Sequence, residues 1–308
     1  MNRKQFLHKS STVGLLLGAS SFPFEAFANG DVQKLTILHT NDQHSRIDPF
    51  PMDGTKNQGL GGFARRATLI EQIRKEERHV LLLDCGDIFQ GTPYFNKYHG
   101  EAEIKLMNEM KYDAGTIGNH DFDGGLENLS LRMNQASFPF LVANYEIKNT
   151  PLYNKAKEYQ IFKYGAIKVG VFGICIELNG LVGKDLYGDT IYRTPIADAN
   201  RVAALLKHHE KCDVVICLSH LGYKYDNSKV SDQVLAKSTS NIDVILGGHT
   251  HTFFTSPESY TNSEGKQVVI NQVGWAGIYL GEIDIYFDHK KRKTISNNLP
   301  IKILERNI

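Results

Sequence analysis

The stretch KLTILHTNDQH, residues 34–44, opens with an apolar, β-branched run and closes on an Asp and a His two residues apart. Its first seven residues have the composition of a buried strand, and the polar tail begins where that strand ends. A polar loop follows, then GGFARRATLIEQIRKEE, in which Phe63, Ala67, Ile70 and Ile73 recur at helical spacing. Strand then amphipathic helix is the repeating unit of an α/β domain, and the chain goes on to repeat it. HVLLLDC reads as the next strand and residues 101–110 as the next helix. A short strand at 114–117 runs into TIGNHDFDGG, residues 116–125, after which residues 126–133 read as helix.

The middle of the chain supplies three strand candidates with little helix between them, FPFLVAN, EYQIFKY and AIKVGVFGIC. Residues 198–212 read as helix, and DVVICLSH and IDVILGGH as strands. Toward the end, KQVVINQVG and GIYLGEIDIYF read as consecutive antiparallel strands, with YTNSEGKQ as a glycine-containing turn. Runs of strands at the middle and end, with alternating units elsewhere, imply two sheets packed together and covered by helices. Neither an internal repeat nor a Pro/Gly/Ser linker divides residues 29–308, so they read as one domain.

The 308 residues are 41% hydrophobic, enough for a sizeable core, and carry a formal charge of +1. Without residues 1–28, which hold Arg3, Lys4, Lys9 and Glu25, 32 basic and 33 acidic groups remain, a net of −1. That balance gives no support to binding of nucleic-acid polymers or of a membrane surface. Residues 1–28 have a basic start, a short apolar stretch around Val13 to Leu17, and Ala26-Phe27-Ala28 as an A-x-A cleavage motif. This is the pattern of a removable signal peptide, which implies export to a periplasmic or extracellular space. The apolar stretch is too short to span a membrane, and no Cys precedes Cys85, so no stable membrane anchor is expected. NRKQFL resembles a twin-arginine signal with Lys4 in place of the second Arg. Cys85, Cys175, Cys212 and Cys217 match no zinc-site spacing, and three lie in or beside apolar runs, so buried free thiols are expected rather than disulfides.

Five strand ends carry metal-capable side chains. They are Asp42 and His44, Asp87, Asn119-His120-Asp121, His220, and His249 with His251. Taken singly, each has a plain structural reading. Asp42 suits an Asx-turn, Asp87 a turn after Gly86, Asp123 a helix N-cap, and His220 a satisfied core histidine. His249 and His251, alternating along an extended segment after two glycines, are the pair that most resembles a shared site. Five such strand ends in succession point to ligands converging at the C-terminal edge of an open α/β sheet. Asp, His and Asn without Cys favour Mn²⁺, Zn²⁺ or Fe over soft thiolate sites. Asp42, His44, Asp87, Asn119, His220, His249 and His251 make seven ligands, more than one tetrahedral ion uses, so two ions sharing a bridging carboxylate are expected.

HTNDQHSRI, DCGDIFQGTPYF, TIGNHDFDGG, LSHLG and GGHTH resemble, in order and wording, the motifs of calcineurin-like metallophosphoesterases. The resemblance is to the branch of exported bacterial 5'-nucleotidases, UDP-sugar hydrolases and cyclic-nucleotide phosphodiesterases, and it covers residues 34–287. It implies a four-layer α/β/β/α sandwich of two mixed sheets flanked by helices. It also implies that Asp42, His44 and His251 hold one divalent ion and Asn119, His220 and His249 a second, with Asp87 bridging. His120 and Asp123 match the family's catalytic pair. The expected substrate is a small phosphoester, above all a nucleotide, cleaved as a 5'-nucleotidase-like phosphomonoesterase would cleave it. The nucleophile expected is water activated by two ions about 3.5–4 Å apart. A 2',3'-cyclic or other phosphodiesterase is the alternative reaction. Relatives of this branch carry a C-terminal nucleotide-specificity domain that is not expected within residues 29–308, so a separately encoded partner domain is a further expectation. Asp121 receives no role on this reading.

Overall fold

The protein is described by a computed structural model covering residues 32–296 and 298–304. The signal-peptide expectation for residues 1–28 lies outside the described residues. The first half of the chain forms β1 (Gln33–Thr40), α1 (Phe63–Glu76), β2 (Val80–Asp84), α2 (Pro93–Tyr98), α3 (Glu101–Glu109) and β3 (Ala114–Gly115). A 3-10 turn at His120–Phe122 precedes α4 (Gly125–Gln135), β4 (Phe140–Leu141), β5 (Tyr145–Glu146) and β6 (Ala156–Lys157). Next come β7 (Tyr159–Tyr164), β8 (Ile167–Ile174), α5 (Lys184–Tyr187), β9 (Ile191–Tyr192), and α6 (Pro195–Ala204) with a π-helical continuation at Leu205–His209. The remainder is β10 (Val214–Ser219), α7 (Asp232–Ser238), β11 (Val244–Leu246), β12 (Glu258–Thr261), β13 (Gln267–Asn271), β14 (Tyr279–Phe287), β15 (Lys293–Ile295) and β16 (Ile301–Lys302).

Two mixed sheets dominate. The first has the order β15-β14-β1-β2-β3-β4-β6, with β16 also pairing β14, and the second β12-β13-β11-β10-β8-β7. In the first, β1, β2, β3, β4 and β6 run parallel and β14 is antiparallel to β1. In the second, β8, β10, β11 and β13 run parallel, and β7 and β12 close the two edges antiparallel. Because successive strand residues face opposite sides, a strand buried on both faces must be apolar throughout, which is why these strands read as continuous apolar runs.

Three apolar clusters fill the three spaces between layers. Leu35 and Ile37 of β1, Leu81 and Leu83 of β2, and Ile283 and Ile285 of β14 meet Val169, Val171, Ile216, Leu218 and Val244 of the other sheet. The opposite face of the first sheet, with Leu38 and Leu82, packs on Phe63 and Ile70 of α1, Ile104 and Met107 of α3, and Leu129 of α4. The outer face of the second, with Phe172, Val215 and Ile245, packs on Ala199 and Val202 of α6 and Leu235 of α7. The result is helices, sheet, sheet, helices.

One local expectation is corrected. The runs containing β13 and β14 are not partners. β13 pairs antiparallel with β12 across the turn at 262–266, while the chain after β13 crosses to the first sheet, where β14 pairs with β1. Both strands are buried on two faces, so composition alone carries no information on which sheet each joins. FPFLVAN forms only the two residues of β4 and the approach to β5, with bends between. All four cysteines are free and buried. No helix among the described residues is long and apolar enough to cross a membrane.

Candidate functional site

The loops that leave β1, β2, β3, β10 and β11 at their C-terminal ends meet at one edge of the sandwich. They bring together two sets of ligand atoms, Asp42 with His44 and His251, and Asp87 with His220 and His249, each set lying within 4.8 Å of one another. In the first, His251 Nε2 lies 3.3 Å from Asp42 Oδ1, and the Nε2 atoms of His44 and His251 are 3.0 Å apart. In the second, His220 Nε2 lies 3.2 Å from Asp87 Oδ2, and Asn119 Oδ1 is 2.8 Å from His249 Nδ1. Asp87 Oδ2 is also 3.9 Å from His44 Nε2, so this carboxylate faces both sets.

The backbone at these positions is unusual. Asp42, His44, Asp87, His249 and His251 all have positive φ, between 47° and 72°. Residues other than Gly are uncommon there, Asn, Asp and His the least so, and clusters of such residues mark functional sites. Reversing the chain direction at these residues folds each loop back, so its side chain points into the cleft while backbone bonds tie loop to loop. Asp42 N–H donates to the Gly86 carbonyl and His44 N–H to that of Asp87, at 2.9 and 3.0 Å. The same geometry corrects the expectation for His249 and His251. They do not alternate along an extended segment but are both left-handed, and they enter different sets as the resemblance implies. Close approach also needs glycine, since a Cβ on Gly118 would overlap the Asp87 carboxylate and its amide nitrogen.

His120 and Asp123 sit at the rim. His120 Nδ1 and Asp123 Oδ2 are 2.8 Å apart, and the His120 ring stands edge-on to that of His44 at 5.3 Å between centroids. The hydrogen bond to Asp123 raises the His120 pKa against the opposing effect of partial burial. Asp123 therefore does not cap α4, whose N-cap position is Gly124. Its carboxylate is engaged by the imidazole.

Asp121, assigned no role from sequence, has one of the densest sets of bonds at the site. Fully buried, its carboxylate accepts from the backbone N–H groups of Asp87 (3.0 Å), Ile88 (2.9 Å), Phe89 (3.2 Å) and Gly118 (2.8 Å). It thus holds the loop that bears Asp87 against the loop that bears Asn119. Asn41 also escapes a reading of the sequence. Its Nδ2 donates to Asp42 Oδ2 at 2.7 Å and to the Gly274 carbonyl at 2.6 Å. Both residues adjoin the motifs they serve, but adjacency alone does not show whether a side chain points toward a ligand or beneath it.

Burial lowers the pKa of His44, and lowers that of His249 to about 4, so both imidazoles are neutral and offer lone pairs. Burial opposes charge on His220 too, but the Asp87 carboxylate beside it pushes its pKa up to about 10. Burial likewise resists ionisation of Asp87, and the charge and hydrogen bond of the His220 ring outweigh it, holding the carboxyl well below its usual range. A proton and a divalent ion compete for such atoms. The donor set fits divalent ions. His220 Nδ1 is spent on the Cys85 carbonyl at 2.6 Å, which orients its buried Nε2 toward the cleft, where it faces the Asp87 carboxylate at 3.2 Å.

This strand-end geometry coincides with a match to the family model for calcineurin-like phosphoesterases over residues 35–253. The chain belongs to the calcineurin-like phosphoesterase family. Snake venom 5'-nucleotidase of Crotalus adamanteus is 34% identical to it over 293 residues, 87% of this chain and 48% of that protein. Among solved structures, a 5'-nucleotidase precursor from Thermus thermophilus superposes with a TM-score of 0.80 at 28% identity, covering 89% of this chain and 55% of the other. A calcineurin-like phosphoesterase from Bacillus subtilis gives 0.71 at 28% identity, over 88% of this chain and 91% of its own. The chain spans about half the length of the curated 5'-nucleotidases it matches. Two candidate metal-binding groups lie at its strand ends.

Proposed function

We propose that this chain is a metal-dependent phosphomonoesterase of the 5'-nucleotidase type, acting on small phosphoesters and above all nucleotides. The observation that carries the reading is Asp87 facing both ligand sets, with the His120–Asp123 pair at their rim. Asp42, His44 and His251 would hold one divalent ion, and Asn119, His220 and His249 the other, with Asp87 shared. Mn²⁺, Zn²⁺ and Fe all suit these donors. Such ions would supply Lewis-acid stabilisation of the phosphoryl group and an activated water at neutral pH. The chain's own contribution is positioning and proton transfer. Asp123 engages Nδ1 of His120, leaving Nε2 to contact the ester and give a proton to the departing alkoxide, a poor leaving group without one. Relatives named as 5'-nucleotidases, at 32–35% identity, support the monoester reading. The A-x-A motif and basic start of residues 1–28 support export, with residues 29–308 as the catalytic domain.

The deciding experiment is a substrate panel on metal-reconstituted protein, comparing nucleoside monophosphates, UDP-sugars, 2',3'-cyclic nucleotides and generic diesters. Preference for the monophosphates is expected. Preference for cyclic or open diesters would replace the monoesterase reading with a phosphodiesterase one.

A further inference from the structure

The two ligand sets are anchored differently. His220 is fully buried and its second nitrogen is tied to a backbone carbonyl, as ligating histidines usually are. His44 and His251 lack that support. Among the described residues, the only hydrogen bond from either ring is the contact between their own Nε2 atoms, and their ion-pair contacts with Asp42 and Asp87 also run through Nε2. The side chain of His251 is 38% exposed. Contacts at one nitrogen leave a ring free to swing about it unless something else fixes its plane.

That something is Trp275. Its ring lies nearly parallel to His251, with 8° between planes and 5.6 Å between centroids, and edge-on to His44 at 6.4 Å. Phe50 stands edge-on to Trp275 at 5.7 Å, and the Arg46 guanidinium lies over Phe50 at 4.5 Å, so the indole is itself braced. Its backbone neighbours grip the third member of the set. Ala276 N–H donates to the Asp42 carbonyl at 2.7 Å, Val273 N–H to Asn41 Oδ1 at 3.0 Å, and the Gly274 carbonyl accepts from Asn41. Residues 273–276 thus touch the Asp42–His44–His251 set at every member, directly or through Asn41.

We propose that Trp275 is a positioning residue for this set alone, fixing the His251 ring plane in place of the missing hydrogen bond. The proposal rests on the metal reading above. Trp275 is the only Trp in the chain, so its fluorescence reports on the stack it makes with His251. The test is Mn²⁺ and Zn²⁺ titration of the chelator-stripped protein, followed by calorimetry and by tryptophan emission. Wild type is expected to bind two equivalents, one of which shifts the emission. Trp275→Ala should weaken that one equivalent roughly 10–100-fold, the scale of lost ligand support, and leave the second unchanged. Trp275→Phe, which keeps a stacking ring, should restore most of it. The retained second equivalent certifies that the variant is folded. Adding Trp275→Ala to His251→Ala should cost little further affinity, since the ring that Trp275 positions is already gone. Two equivalents bound as tightly by Trp275→Ala as by wild type would overturn the positioning role, as would equal weakening of both. Wild type that binds no metal would instead overturn the metal reading itself.

Discussion

His39 offers a test of the packed interior from which the site is built. It lies on β1, fully buried, with Nε2 2.9 Å from Asn271 Nδ2 on β13 of the other sheet and Nδ1 without a partner. Burial lowers its pKa from 6.5 to about 3, so it is neutral in the folded protein at any pH above that. The unfolded chain binds a proton there below pH 6.5 and the folded chain does not. Stability must therefore fall as pH drops from 6.5 toward 3, by about 1.4 kcal/mol per unit once well below the unfolded value. His39→Gln keeps an acceptor for Asn271 and removes the titration. Urea unfolding of both proteins, stripped of metal, at about pH 7.5, 6.5, 5.5 and 4.5 gives the difference in stability free of the groups they share. Whatever the variant costs at about pH 7.5, the wild type should lose ground to it by roughly 2–3 kcal/mol between there and about pH 4.5. A difference that stays flat across this range would show that His39 is not held neutral by burial.

Two further outcomes concern the site. Asp121→Asn turns one of two acceptor oxygens into a donor, so two of the four backbone N–H groups face it unpaired. Unfolding free energy should drop by about 3 kcal/mol and metal retention should fall with it; a loss under about 1 kcal/mol in urea would mean the loops hold without that carboxylate. His120→Asn should lower turnover of a nucleoside monophosphate by roughly two orders of magnitude or more, with metal content by atomic emission unchanged. Loss of both ions in that variant would make His120 a ligand instead.

Much of this protein is legible in its sequence because each signal is local. Apolar runs such as VLLLD declare strands buried on both faces, and the helical spacing of Phe63, Ile70 and Ile73 declares α1. The polar residues after those runs mark the edge where ligands gather, since the C-terminal ends of parallel strands leave a crevice there. What local signals do not carry is partnership. β13 and β14 are equally apolar, and their assignment to different sheets follows from how the whole chain packs, with β14 returning to close beside β1. Asp123 looks like a helix cap until His120 is seen against it, and Asp121 looks idle until four amides from two loops are found on its oxygens.

By itself, then, the sequence determined the α/β class, the strand ends and the kinds of side chain available for metal and proton chemistry. The resemblance of its motifs already assigned His249 and His251 to different ions with Asp87 between them; tertiary structure alone decided what holds these residues in place: Asp121 under four amides of two loops, and Trp275, 24 residues beyond His251 in the chain, stacked on its ring. Residue type and spacing limit what a side chain can do. Direction is set by left-handed backbone turns and by neighbours brought from distant strands, and direction decides which ion, proton or amide it meets.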